Sequence, residues 1–242
     1  MKEQKRKLYD SYVTSHFALR EKFDDATYKA TSRRIIAVYG EFFPADKKAK
    51  ILDVACGPGY FGYALRSLGY VDIHGIDVSQ EQVDLARQMG LDVSLADAFE
   101  FLRDSPEGYD LIISTYFLEH LCKEELIAYM TLVHKALRSG GRFLCLVPNA
   151  NSPFAARLRY EDLTHEQLFT ENTLRQLFLA TGMTPEFIGD ENAPVSGIKG
   201  LAKRLVSRVF RSFWRSFMIV DLGRKAIGAP LDTNLVGVCK KQ

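Results

Sequence analysis

The chain has 242 residues, 47% of them apolar, and a net charge of +2. That length suits one α/β domain with an appendage, and the apolar fraction supports a sizeable core. So small a net charge excludes a molecule that binds nucleic acid by bulk electrostatics, and any basic function has to come from a local patch.

Four widely spaced cysteines (Cys56, Cys122, Cys145, Cys239) form no C-x-x-C pair. This argues against a disulfide framework or a metal site, and for reduced thiols in a cytosolic protein. The charged N-terminus is not followed by a signal-peptide core, and no apolar run is long enough to span a bilayer.

Residues 1–49 read as a helical cover. Helices are expected over 8–23 and 26–43, the second stopped by Pro44. Tyr12 and His16 share one face of the first, a turn apart, and are candidates for touching an acceptor; plain packing is the alternative.

The chain is organised around Ile51-Leu52-Asp53-Val54-Ala55-Cys56-Gly57-Pro58-Gly59. A buried strand runs into a turn with two glycines, then into a helix on which Tyr60, Phe61, Ala64, Leu65 and Leu68 recur at helical spacing. Glycines let a ligand approach the backbone, and the helix start offers unpaired N–H groups to it. Gly57-Pro58-Gly59-Tyr60-Phe61-Gly62 also fits the dinucleotide pattern G-x-G-x-x-G, with Asp77 downstream, so an NAD site is one reading and a ligand-free tight turn another. Asp53, a carboxylate at the end of a buried strand, is out of place unless the turn or a ligand uses it.

A second strand ends at Asp77-Val78-Ser79, where the carboxylate suits a pair of ribose hydroxyls. Ser79 and Gln82 are placed to cap the next helix, 81–89. A third strand, 93–98, ends in Asp97-Ala98. The fourth, 109–114, ends in Ser114 and is followed by Glu119-His120. An amphipathic helix over 123–137 leads to a fifth strand over 142–147. Strands alternating with helices give a parallel, doubly wound sheet, with ligands at the carboxyl ends of the strands.

These residues carry a resemblance. Leu52-Asp53-Val54-Ala55-Cys56-Gly57-Pro58-Gly59, with Asp77 and Asp97 behind it, resembles the class I S-adenosylmethionine (SAM) dependent methyltransferases, which usually carry glycine where this chain has Ala55. The resemblance implies SAM as cofactor, held by Asp53, Ala55, Gly57, Gly59, Asp77, Val78, Asp97, Ala98, Ser114 and Glu119. Asp97 would take the adenine amino group and the end of strand four the methionine part. It implies a Rossmann-like seven-stranded mixed sheet in the order 3-2-1-4-5-7-6, its last strand antiparallel. That last strand is expected over 233–239 and strand six over 185–189. The N-terminal helices would then lie over the SAM site.

Residues 148–166 form a long polar connection. Arg157-Leu158-Arg159-Tyr160-Glu161-Asp162-Leu163-Thr164-His165-Glu166 resembles a loop of bacterial methyltransferases associated with glycan and lipopolysaccharide gene clusters. The resemblance implies O-methylation of a sugar in a surface polysaccharide or its precursor. His165 suits the general base, with Glu166 or Asp162 orienting it and Tyr160 alongside. Arg157, Arg159 and Asn149 suit acceptor binding. The same stretch also reads as a cap for the helix 170–181. A small lipophile such as a quinone, and a SAM-binding scaffold without turnover, are the alternatives. No metal site is expected.

An insertion over 198–220 carries Ile198, Leu201, Leu205, Val209, Phe213 and Phe217 at helical spacing, opposite Lys199, Lys203, Arg211 and Arg215. Such a helix suits an anionic membrane interface on the cytoplasmic side. Packing on the sheet edge or in a homodimer seam is the alternative. No stacking platform or recognised motif accompanies the charge, so nucleic acid is not an expected partner.

Overall fold

A computed structural model describes residues 23–192, 195 and 197–242. The helix expected over 8–23, with Tyr12 and His16, lies outside the described residues apart from Phe23.

Seven strands, β1 (Lys50–Val54), β2 (Asp72–Asp77), β3 (Val93–Leu95), β4 (Tyr109–Thr115), β5 (Leu137–Pro148), β6 (Met183–Asp190) and β7 (Asn234–Lys241), form one sheet in the order β3-β2-β1-β4-β5-β7-β6. The first five pair in parallel, and β7 runs antiparallel to both β5 and β6. This is the expected topology. The central strands are apolar on both faces because both are covered: Ile51, Leu52, Leu111, Ile112 and Ile113 are all fully buried.

One face is covered by α1 (Asp25–Tyr39) and α2 (Tyr60–Ser67), which pack over Ile51, Leu111, Ile113 and Leu144. The other is covered by α4 (Ala98–Asp104), α5 (Lys123–Ala136) and α7 (Glu171–Ala180), over Leu52, Ile112, Phe143 and Cys145. α3 (Gln80–Gln88) and α6 (Ala155–Tyr160) come between them in sequence, and α8 (Gly197–Leu222) follows them.

The helix α1 explains how the cover is held. Asp24 caps it, accepting from the Thr27 N–H at 2.8 Å, and a short 3-10 turn (Gly40–Phe42) ends it just before Pro44. Its buried residues Tyr28, Ser32, Ile35 and Tyr39 recur every three or four positions. Tyr28 packs on Tyr60 and Tyr63, and its hydroxyl donates to the Pro58 carbonyl at 2.7 Å. The cover is thus pinned directly to the glycine turn.

Three local expectations change. The third strand stops at Leu95, because Asp97 caps a helix instead: its Oδ1 accepts from Phe99 N–H (2.9 Å) and Glu100 N–H (3.3 Å). Ser79 occupies the N-cap of α3, but its hydroxyl makes no capping bond, and the Gln82 box does not form. The connection 148–166 is not wholly irregular, since α6 forms within it, and Thr170 rather than the 162–166 stretch caps α7.

Candidate active site

The glycine turn follows β1 with three residues in the left-handed region: Ala55 (φ 55°), Gly57 (φ 56°) and Gly59 (φ 82°). Gly59 begins α2, and a Cβ there would stand 2.3 Å from Leu91 Cδ1, so only glycine fits. Gly62 differs. A Cβ there would meet Leu91 at 3.6 Å, an ordinary contact, so the third glycine of the dinucleotide pattern is not required by packing. Ala55 holds a conformation that favours glycine, the residue that the resembling methyltransferases usually carry there.

Around this turn opens a cavity of about 790 Å³, within the range of small-molecule sites. Of the expected cofactor residues, Ala55, Gly57, Asp77, Val78, Asp97 and Ala98 line it. Asp77 Oδ2 accepts from the Gly57 N–H and Oδ1 from the Ser79 N–H, both at 2.9 Å. Burial pushes this carboxyl up from its ordinary pKa, while those same N–H groups pull it back. Ser79 and Gln82 line the same cavity, and their buried Oγ and Oε1 have no partner among the described residues. Two orphaned polar atoms beside a backbone-lined cradle fit a polar cofactor that completes their hydrogen bonds.

The remaining expected residues lie elsewhere. Asp53 and Gly59 line a smaller space of about 160 Å³ beneath the turn. Asp53 is buried, its Oδ1 has no partner, and desolvation followed by the charge of Asp77 raises its pKa to about 8. Ser114 is buried in β4 away from the cavity; Thr115, Tyr116 and Phe117 form the wall there. Tyr116 adopts φ 54°, costly for a bulky residue, and its hydroxyl accepts from Asn234 Nδ2 at 3.0 Å.

The acceptor-side expectations fare differently. Tyr160 is 81% exposed, with Arg159 over its ring, and Arg157 pairs with Glu161 at the surface. None of the three lines the cavity. Asn149 is fully buried and spent on structure: Nδ2 donates to the Pro230 and Asp232 carbonyls, and Oδ1 accepts from Asn151 N–H. Glu166 is exposed, and its N–H donates to the Glu119 carbonyl rather than its carboxylate orienting His165. Asp162 does not orient His165 either; its Oδ1 accepts from Thr164 N–H (2.7 Å) and Thr164 Oγ1 (2.6 Å).

His165 itself is half-buried, and its Nδ1 donates to the Leu158 carbonyl at 2.7 Å. Its ring sits 4.9 Å from that of His120, which lines the cavity. Beside them Glu119 is fully buried, neither carboxylate oxygen has a partner, and desolvation raises its pKa to about 8. Glu119, His120 and His165 bring one atom each of a type that can ligate a metal within 4.8 Å of one another. Sequence spacing could not show this, since 45 positions separate His120 from His165.

The other wall comes from residues the sequence did not single out. Arg34 donates to Glu191 Oε1 at 2.5 Å, Tyr39 to the same oxygen at 2.9 Å, and Asn234 to Oε2 at 3.2 Å. Arg34, Tyr39 and Glu191 line the cavity with Phe23, Ile35, Phe61, Phe117 and Leu146. A polar pole on an otherwise apolar, aromatic wall results.

Known proteins resemble the chain in sequence and in fold. A family model described as a methyltransferase domain matches residues 26–186. The chain is 28% identical over 107 residues to a ubiquinone biosynthesis O-methyltransferase of Cereibacter sphaeroides, covering 42% of each chain. It is 30% identical over 97 residues to a cyclopropane-fatty-acyl-phospholipid synthase of Escherichia coli, covering 39% of this chain and 25% of the other. The aligned stretches therefore span less than half the length of these relatives. A solved SAM-dependent methyltransferase from Archaeoglobus fulgidus shares the fold over 96% of this chain and all of the other, with a TM-score of 0.66 at 21% identity. The reversed β7 and the dispensable third glycine both set the site apart from a dinucleotide fold. With the family model spanning most of the chain, and the observed sheet being the one its motifs imply, the chain belongs to the methyltransferase-domain family.

Proposed function

We propose that this enzyme methylates a hydroxyl of a lipophilic, quinone-like acceptor met at an anionic membrane surface. The observation that carries the reading is α8. None of its described residues is buried, and Ile198, Leu201, Leu205, Val209, Phe213 and Phe217 are all more than half exposed. A contiguous apolar stripe of that size on one helix calls for a covering surface. Lys199, Lys203, Arg204 and Arg208 are exposed on the same helix, a charge pattern complementary to anionic lipid.

The helix is also coupled to the site. Its Arg211 pairs with Asp232, which accepts from the Asn192 N–H next to the cavity residue Glu191. Phe210 stacks on Phe154 at the start of α6, whose neighbours Tyr160 and Leu163 are the most exposed apolar residues of that connection. The apolar cavity wall fits a lipophile better than a sugar. Both curated relatives are named for lipophilic molecules, ubiquinone and a fatty-acyl phospholipid. Arg157, Arg159 and Tyr160, the residues suited to sugar hydroxyls or a phosphate, are not among those lining the cavity.

Bound SAM supplies an activated methyl group on a sulfonium. The protein then has to align an acceptor oxygen and take charge of its proton. The Asp77 side of the cavity suits the cofactor. The Arg34–Glu191–Tyr39 pole suits a polar acceptor head, and the Glu119–His120–His165 cluster lies where a hydroxyl would be activated. Release of S-adenosylhomocysteine would be measured with short-chain hydroquinones, nucleotide sugars and a lipid-linked sugar, with and without anionic vesicles. Turnover of hydroquinones, increased by vesicles, is expected. Turnover confined to either sugar acceptor would overturn the proposal.

A further inference from the structure

We propose that Glu119, His120 and His165 form a binding site for one divalent cation of borderline softness, with Zn²⁺ the best match. Two imidazole nitrogens and a carboxylate are a common zinc donor set, and one that leaves a fourth position open. The three donor atoms already lie within 4.8 Å of one another. With metal–ligand bonds near 2.0–2.1 Å, tetrahedral donors stand about 3.4 Å apart, so closure takes side-chain rotation on the scale of an ångström.

The hydrogen bonds around the cluster fix both rings for this task. The Leu158 carbonyl can only accept, so His165 carries its proton on Nδ1 and presents an unprotonated Nε2. Thr164 Oγ1 donates its own proton to Asp162 at 2.6 Å, so toward His120 Nδ1, at 2.8 Å, it accepts. His120 therefore also keeps its proton on Nδ1 and its lone pair on Nε2. A carboxylate–hydroxyl–imidazole chain and a carbonyl–imidazole pair are the outer supports that metal-binding histidines use.

The independent observation is Glu119. Both of its oxygens are buried without a hydrogen-bond donor among the described residues, whereas the buried carboxylates of Asp77 and Asp162 accept hydrogen bonds and Asp53 leaves one oxygen unpartnered. A cation supplies the missing partner. His120 stands in the wall of the large cavity, so the site borders the space assigned to the acceptor. There the cation would lower the pKa of a hydroxyl reaching its open position, the proton leaving to solvent before the oxygen attacks. That consequence rests on the function proposed above; the binding itself does not.

Chelator-treated full-length protein would be titrated calorimetrically with Zn²⁺ and, separately, with SAM. One Zn²⁺ per chain is expected, with affinity falling at least tenfold in both Glu119→Gln and His165→Ala while SAM still binds. Co²⁺ substitution should give visible absorption bands that either variant alters. Absence of Zn²⁺ binding in a wild-type sample that binds SAM would overturn the site, as would one-to-one binding that both variants retain, or binding of Mg²⁺ in preference to Zn²⁺. Should Glu119→Gln not fold, the half-buried His165→Ala decides the matter alone. Loss of SAM binding in the wild type would instead count against the methyltransferase site.

Discussion

At the residue scale, the glycine turn sets two opposite demands. Ala55 sits at φ 55°, where an L side chain costs roughly 1–2 kcal/mol relative to the right-handed region. Ala55→Gly should therefore stabilise the fold by about 0.5–1 kcal/mol after the unfolded chain's added entropy is counted, read as a higher midpoint in urea. Gly59→Ala should do the reverse: its Cβ would collide with Leu91, and SAM affinity should drop at least tenfold with the displaced turn. An unchanged midpoint in both variants would mean that the turn is not under this constraint.

Asp53 belongs to the same scale. Its folded pKa, near 8, is raised above the ordinary carboxylate value by burial and by Asp77. Below the unfolded pKa both states hold the proton. Between the two values the folded state alone holds it, so stability contributed by protonated Asp53 is lost as pH rises from about 4 through about 8. The slope from one such group is at most about 1.4 kcal/mol per pH unit. Asp53→Asn, isosteric and neutral, should flatten the thermal-midpoint profile of the cofactor-free protein across pH 5–8. A profile as steep as wild type would assign the dependence to other groups. The strand-end acids and paired glycines were legible in the sequence, because a carboxylate or a glycine is unexpected in a buried strand or turn whatever surrounds it. Asn149 was misjudged, since a polar residue at a strand end looks the same whether it faces a ligand or, as here, secures the Pro230–Asp232 backbone.

At the element scale, α8 is the feature whose amphipathic pattern was plain from spacing and whose partner was not. Its C-terminal half is tied down by Arg211 to Asp232 and by Arg215 to the Ala229 carbonyl at 3.0 Å, leaving Lys199, Lys203, Arg204 and Arg208 uncommitted to those contacts. Each basic residue near an anionic surface contributes about 1 kcal/mol, so replacing these four with glutamate should remove about 4 kcal/mol and weaken vesicle binding roughly a thousandfold. Co-sedimentation with phosphatidylglycerol vesicles at low salt measures this. Equal binding by the quadruple variant would remove the membrane role of α8, while its SAM binding should match wild type. Among the described residues no helix is long and apolar enough to cross a membrane, so contact through α8 would be lateral. The short helices α4 and α6 escaped the sequence reading because they are too short to show periodicity: α4 starts at the Asp97 cap, and Phe154 at the start of α6 stacks on Phe210, far along the chain.

At the scale of the whole molecule, the cofactor and the fold are one question. SAM at a hundred times its dissociation constant should stabilise the folded state by about 2.7 kcal/mol. For a chain of this size that is a rise of roughly 5–10 °C in Tm. NAD at the same concentration should give no shift; the reverse pattern would sink the assignment of the cavity. The strand and helix alternation, with right-handed crossovers, pointed to a parallel doubly wound core, while the full sheet order with its reversed last strand was anticipated only through the family resemblance of the motifs.

What the sequence by itself determined is whatever local chemistry makes unavoidable: the strand–turn–helix of the cradle, the acids at the ends of β1 and β2, the parallel core, and the amphipathic α8. Only the tertiary structure decided which polar residues share a space. It left Arg157, Arg159 and Tyr160 off the cavity lining, buried Asn149 in a scaffold, and carried His165 across 45 positions to stand against His120 and Glu119. The physical reason is that a side chain's burial and partners depend on how a connection folds back over the sheet. Here that path is set by contacts such as Glu166 N–H to the Glu119 carbonyl, which join residues far apart in the chain and leave no mark on local spacing.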